Sequence, residues 1–578
     1  MVADPAYHIP DQWLEAERPV RIICAGAGPA GILAAYKVQK DLPNASIVCY
    51  EKNPSIGGTC LPYPCRQRVA VSLLICIDSP QSPAHAYTYP FEPNPEWSSF
   101  YAGSPEILEY FKKFTEKYDL NKYIKVNSKV SKAIWDDEKG IYNVTVETKD
   151  GPIEDWCHVL INATGYLNSW KWPDVKGLNT FKGTLLHSAN WDTSIDWKDK
   201  RVAILGTGSS AIQMVPQIQK TAKSLVTFMR SETWISPPVA GDILEADKTT
   251  STDKEASKRP EAQYYYTEEE KRRFREDPEA LTTYRRNFEI EFNKMFDMFI
   301  QGTDAARLAK EFMTEEMKRR IGPGHEELKE RMIPKWPVGC RRVTPGDGYL
   351  EALVQPNVRY IFDEIAEIVP EGLRDAKGEL HEVDIIACAT GFNIAFTPSF
   401  EIKGAGGVDM HEFFNPEPQV YLGLAAPNFP NYFIINGVRG NWAAGTVLIT
   451  LEVSVNYIVE SVKKIQKENI KSMVVRQECV DQLYQHIDEW HKRSVWNADC
   501  KNWYKQNIVG GKLWIWGGSG LHYNKTIQKP RFEDYTYKYR DGNMWAYLGN
   551  GFTEAQVNRD SARLGTYMRA SDTPFELY

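Results

Sequence analysis

Two stretches of this chain each place small residues on a G-x-G-x-x-G frame directly after a short apolar run, and that repeat limits the fold more than any other feature. In "VRIICAGAGPAGILAAYKVQK" the run Val20 to Ala25 reads as a strand that enters a glycine turn and then a helix. Gly26, Gly28 and Gly31 hold the three frame positions. The first allows a tight turn, the second lets backbone approach a pyrophosphate, and the third lets the helix pack closely on the strand. The helix start then offers unpaired amides and a positive dipole end to an anion. A second strand, "SIVCYE", ends in Glu51, whose carboxylate can accept hydrogen bonds from a ribose diol.

The frame returns in "KRVAILGTGSSAIQMVPQI" with Gly206, Gly208 and Ala211, and the same turn and helix start carry Thr207, Ser209, Ser210 and Gln213. Here the following strand, "SLVTFM", ends in Arg230 and Ser231 instead of an acid. A guanidinium at that edge suits a 2′-phosphate, so this fold should prefer NADP to NAD. Opposite charge at the two discriminating positions implies two cofactors, FAD in the first fold and NADPH in the second. Small-residue turns follow apolar strands at "INATGYLN" (Ala163, Thr164, Gly165) and "VDIIACATGFN" (Ala389, Thr390, Gly391), where the chain can cross between folds.

The expected architecture is α/β: two Rossmann-like dinucleotide-binding domains, the NADP domain inserted in the FAD domain, plus a helical insertion. The chain reads as an N-terminal extension over 1–19, the opening half of the FAD domain over 20–168, and the NADP domain over 169–385 with helices at about 261–335. The closing half of the FAD domain and the C-terminal region then occupy 386–578. The segment 241–260 is polar and reads as a loop, and Phe288, Phe292, Met295, Phe296 and Phe299 fall at helical spacing, as on an inward face.

At 578 residues the chain exceeds one compact core. A net charge of −7 argues against electrostatic nucleic-acid binding. No apolar run approaches the length that spans a bilayer, and the N-terminus lacks a secretory signal pattern, so a cytoplasmic protein is expected. The ten cysteines show no two-residue dithiol or zinc spacing, and read as scattered thiols with no metal site.

Between the folds, "FKGTLLHSANWD" fits F-x-G-x-x-x-H-x-x-x-W-[P/D] at Phe181, Gly183, His187, Trp191 and Asp192. With the flanking glycine frames, this resembles the type I Baeyer–Villiger monooxygenases, within the flavin-containing monooxygenases. The resemblance implies FAD and NADPH as cofactors, and a ketone and O2 as substrates, with one oxygen atom inserted beside the carbonyl. His187 takes a domain-coupling role. "PVGCRRVTPGDGYLEAL" resembles the segment of the family's active-site arginine, which falls on Arg342; a fixed planar cation there can stabilise negative charge developing during oxygen transfer. "CKNWYKQN" resembles a late motif whose tryptophan, here Trp503, contacts the nicotinamide cofactor. The flavour of this motif and of "PRFEDYTYKY" is that of fungal enzymes acting on polyketide or terpenoid metabolites. An N- or S-oxidising flavin monooxygenase is the rival reading.

The segment from Gly57 to Tyr89 departs from the family pattern. Gly57, Gly58 and Thr59 match its start, and Pro83 to Tyr87 match its end, including Tyr87 as a cofactor residue. Between them Cys60 replaces a flavin-covering tryptophan, and Gln81 stands where an acid should brace the active-site arginine. A misread gene segment or a variant loop accounts for this, and weak flavin binding is the expectation in either case, extending to a catalytically impaired dinucleotide-binding protein.

Overall fold

Val20–Ala25, buried except for the half-exposed Arg21, forms the centre of a five-stranded parallel sheet. Strands buried on both faces read as unbroken apolar runs, which is why "VRIICA" carries no alternation. The computed structural model describes residues 7–58, 83–192, 194–237, 264–392, 396–441 and 446–577. The sheet runs, edge to edge, Tyr432–Ile434, Val159–Asn162, Val20–Ala25, Ala45–Tyr50 and Ile124–Lys125. Its outer strand thus comes from far down the chain, and Tyr432 pairs in register with Leu160.

The second parallel sheet forms from the chain in between. Its order is Val358–Ile361, Ser224–Phe228, Arg201–Leu205, Ile385–Cys388 and Thr184–His187. One dinucleotide fold is therefore nested inside the other, as expected. The division placed at 385/386 requires correction, because Ile385–Cys388 is one strand of the second sheet. The return to the first fold comes after it, beyond the turn at Ala389 to Gly391.

Helices Glu268–Glu276, Pro278–Lys294, Asp304–Ile321 and Glu326–Met332 make up the insertion. Its first two helices send Phe274, Leu281, Tyr284 and Phe288 into the core of the first fold. The last two send Met313, Met317, Leu328 and Met332 into the core of the second. The aromatic stripe does not share one face. The helix stops at Lys294, Met295 is exposed, and Phe299 stacks on Trp496 with ring centres 5.3 Å apart. A short 3₁₀ turn, Met295–Phe299, breaks the 3.6-residue period and redirects the last rings.

The cysteines also depart from expectation. Cys340 and Cys500 form a disulfide, while Cys24, Cys49, Cys157 and Cys388 are buried free thiols. Among the described residues no helix is long and apolar enough to cross a membrane. The polar stretch 241–260 and residues Thr59, Cys60 and Gln81 lie outside the described residues.

Candidate functional site

The first and third glycines of the first frame sit against backbone that leaves no room for a side chain. Gly26 has φ +108°, and a Cβ there would sit 2.6 Å from the Ala163 carbonyl oxygen. A Cβ on Gly31 would sit 2.0 Å from the Gly26 carbonyl oxygen. Gly58, with φ +59°, comes close to the same loop: a Cβ on Gly28 would stand 3.4 Å from its Cα. Helix Pro29–Asp41 begins with no side-chain cap, so its first-turn amides remain for another acceptor. Glu51 is buried, its Oε2 accepting from the Ala27 amide at 2.8 Å and its Oε1 from the amide and side chain of Asn53. The acid expected at a ribose thus also braces the glycine turn.

Tyr87 is half-buried against the first core. A neighbour that the sequence did not single out, Tyr89, reaches the helix start instead, donating its hydroxyl to the Pro29 carbonyl at 2.6 Å. A cavity of about 210 Å³ opens beyond the carboxyl ends of Val159–Asn162 and Tyr432–Ile434, lined in part by Thr164, Gly165, Tyr166 and Asn436. Ligands of open parallel sheets bind at that end of the strands.

The second frame repeats the design. Gly206 has φ +122° and would place a Cβ 2.6 Å from the Ala389 carbonyl oxygen, so each fold seats its first glycine on the alanine of an Ala-Thr-Gly turn. Ala211, fully buried, takes the third position where the first fold needs glycine. Gly208 faces open space, with nothing within 4 Å of a Cβ. Thr207 Oγ1 donates to the Ser231 carbonyl at 3.0 Å, and Ser209 Oγ lies 3.1 Å from Thr344 Oγ1. Ser210 is half-buried in the first turn of helix Ser209–Gln219, and Arg230 is exposed just past the strand end. Gln213 is buried with neither amide atom paired.

The adjacent arginines act on different neighbours. Arg341 donates from Nη1 to the Glu232 carbonyl at 3.0 Å, on the Arg230 side of the second fold. Burial lowers its pKa, Glu232 opposes that shift, and the Arg230 charge adds to it. Arg342 lies close enough to the C-terminal segment for its charge to act on Tyr504. Burial raises the Tyr504 phenol well above its usual value, and the Arg342 charge works against that rise. Next to Tyr504, Trp503 stacks on Tyr166 with ring centres 5.7 Å apart and planes at 20°. Trp503 thereby joins Tyr504, whose ring centre lies 4.3 Å from its own, to Tyr166 next to the Gly165 turn.

The linker residues cluster around the second sheet. A Cβ on Gly183 would meet the Asp384 carbonyl at 2.4 Å and the Phe181 ring at 2.5 Å. His187 is fully buried, stacked on Trp170 at 4.5 Å. Its Nδ1 accepts from the Ala189 amide at 3.1 Å, which puts the proton on Nε2, 3.3 Å from Thr390 Oγ1. The imidazole therefore ties the linker to the second Ala-Thr-Gly turn. Trp191 is buried in the second core, and Asp192 accepts from the Ser194 amide at 2.9 Å and hydroxyl at 2.6 Å. Asp375, Glu379 and His381 also converge, but Asp375 pairs with His381 at 3.0 Å and Arg359 holds both Glu379 oxygens.

Burial lowers His187 to about 4, His158 and His491 to about 4, and His85 to about 3. Unfolded histidines bind protons near pH 6.5. The unfolded chain therefore takes up protons first, and stability, full above that pH, should fall as pH drops from about 6.5 towards 4. Urea midpoints between pH 7 and 4.5 check this, and His187→Gln should make the decline shallower.

The Flavin-binding monooxygenase-like family matches residues 19–247. FAD-binding monooxygenase tazF of Aspergillus terreus is 37% identical over 94% of this chain and 93% of its own. The chain belongs to the FAD-binding monooxygenases. A Baeyer–Villiger monooxygenase of Pseudomonas aeruginosa is 27% identical over 87% of this chain and 88% of its own. The closed crystal structure of cyclohexanone monooxygenase superposes with a TM-score of 0.73, at 21% identity, over 90% of this chain and all of its own.

The residues of this FAD-binding monooxygenase fit the cofactor. The uncapped helix start, the Gly26–Gly31 close approach and Glu51 would hold the pyrophosphate and ribose of FAD. The second frame fits a nicotinamide dinucleotide equally: its helix is also uncapped, Gly208 borders open space, and Gln213 carries an orphaned amide that a ligand would satisfy. Sequence reasoning missed Arg341 at this edge. The paired arginines were visible, but not that Arg341 bonds the Glu232 carbonyl beside Arg230.

Proposed function

We propose that this FAD-binding monooxygenase uses NADPH and inserts one oxygen atom of O2 next to the carbonyl of a ketone, giving an ester or lactone. The observation that carries the reading is that the two arginines act on different neighbours: Arg341 bonds the Glu232 carbonyl beside Arg230, while the charge of Arg342 reaches Tyr504, next to Trp503. Bound FAD supplies hydride acceptance and the activation of O2. Arg230 and Arg341 receive the 2′-phosphate, and the amides at the start of Ser209–Gln219 receive the pyrophosphate. Arg342 stabilises negative charge as it develops on substrate oxygen, and its always-charged guanidinium needs no proton transfer to do so. The packed Trp503–Tyr166 pair limits entry of bulk water. The relatives in fungi support a ketone of secondary metabolism.

Product analysis tests the reading. Purified protein given FAD, NADPH and a panel of cyclic and linear ketones should yield esters or lactones. Oxidation confined to amines or sulfides would overturn it. Cofactor choice is tested by Arg230→Ala. A hydrogen bond to a charged group contributes about 1.5–3 kcal/mol, so the KM for NADPH should rise roughly tenfold or more while that for NADH barely moves. An equal effect on both would remove Arg230 from the site.

A further inference from the structure

We propose that the Cys340–Cys500 disulfide is a staple that positions Arg342, joining its segment covalently to the segment that carries Trp503. This rests on the reading of Arg342 given above. The bridge spans 160 residues of sequence and lies two residues before Arg342 and three before Trp503. Both cysteines are buried, at 0% and 3% exposure. Burial shields a disulfide from reductants, which marks a lasting constraint rather than a labile one.

A polar tie runs beside the covalent one. Asn502 Nδ2 donates to the Cys340 carbonyl at 2.6 Å, while its Oδ1 accepts from the Lys505 amide at 2.9 Å. The Asn502 side chain thus ties the backbone of Cys340, two residues before Arg342, to the residue just before Trp503. Packing fixes the pair to the helical insertion as well: Gly339 has φ +92°, and a Cβ there would overlap the Phe299 ring at 2.5 Å. Trp503 in turn rests on Tyr166 at the end of the first fold. Without the bridge, the loop bearing Arg342 keeps its packing but loses the one covalent constraint on where its guanidinium points. Closing the bridge takes two protons and two electrons from the thiol pair, and hydrogen peroxide can accept them and leave as two waters. For oxygen transfer, an arginine displaced by an ångström is poorly placed, because stabilisation of developing charge depends on preorganised geometry. Hydride transfer does not involve Arg342 in this scheme and should be spared.

The experiment begins with the parent holoenzyme. Non-reducing digestion and mass spectrometry should find peptides containing Cys340 and Cys500 linked. Cys340→Ser, Cys500→Ser and the double variant are then compared for bound flavin, the rate of flavin reduction by NADPH, and oxygenated product per NADPH consumed. Flavin content and reduction should stay within about twofold of the parent, whereas product per NADPH should fall at least fivefold, equally in all three, since either substitution opens the bridge. In an Arg342→Ala background, Cys340→Ser should cause no further loss. Free thiols at both positions in active parent enzyme would overturn the proposal, and that measurement needs no variant to fold. Unchanged coupling in well-folded, yellow serine variants would also overturn it. So would a further loss on top of Arg342→Ala, which would show that the bridge acts elsewhere. If Arg342→Ala alone retains coupled turnover while the serine variants lose it, the reading of Arg342 fails and the staple must serve another group.

Discussion

Arg342→Ala should divide the catalytic cycle. Flavin reduction by NADPH should remain within a few-fold of the parent, while ketone oxygenation falls by about 10²–10³, the usual cost of removing one preorganised donor from developing negative charge. The expectation comes from placement. The Arg342 charge reaches Tyr504, the neighbour of Trp503, whereas Arg341 bonds the Glu232 carbonyl beside Arg230, at the edge where the dinucleotide phosphate would bind. Arg341→Ala should show the reverse pattern: a raised KM for NADPH and near-parental coupling once the cofactor saturates. Arg341 and Arg342 are adjacent in sequence, so opposite phenotypes from the two variants would be hard to explain by a general loss of local structure. Arg342→Lys keeps the charge but not the planar fork, and should recover only a fraction of the activity. Stopped-flow flavin reduction together with product per NADPH measures all three. Ester formed by Arg342→Ala at near-parental rate would assign the charge elsewhere.

Gly31→Ala should remove FAD binding. The added Cβ would lie 2.0 Å from the Gly26 carbonyl oxygen and 2.9 Å from its carbon, and both are backbone atoms that no rotamer change can move aside. Relief requires the helix to lift from the strand, which opens the Gly26–Gly28 turn against Gly58 and draws the amides away from the phosphates. Overpacking of this kind costs about 1–3 kcal/mol, and more where backbone must shift. Purified Gly31→Ala should carry less than about a tenth of the parental flavin and melt at lower temperature. Gly208→Ala is the control. That position has nothing within 4 Å of a Cβ, so the variant should fold and hold full flavin, with its defect confined to NADPH use. Equal flavin loss in both variants would contradict the separate assignment of the two frames.

The sequence by itself determined both dinucleotide folds and their nesting, because strand, glycine turn and helix start are local features. Gly26 and Gly206 need positive φ, the strand runs are apolar without alternation, and each requirement is written within a few neighbouring residues. The opposite character of Glu51 and Arg230 was legible for the same reason, since each stands at a fixed offset from its own frame. Only the tertiary structure decided what depends on distant partners. The return point of the chain moved because Ile385–Cys388 pairs with Arg201–Leu205, and that pairing carries no local mark. The aromatic stripe divided because Phe288 and Phe299 meet rings from different regions of the chain, Phe100 and Trp496. The cysteines at 340 and 500 became a pair because folding brings their Cα atoms to 6.3 Å, within bonding reach, across a separation that no spacing rule reads. The spacing of adjacent arginines does not say which neighbours each meets, and the structure puts Arg341 on the Glu232 carbonyl while the Arg342 charge reaches Tyr504.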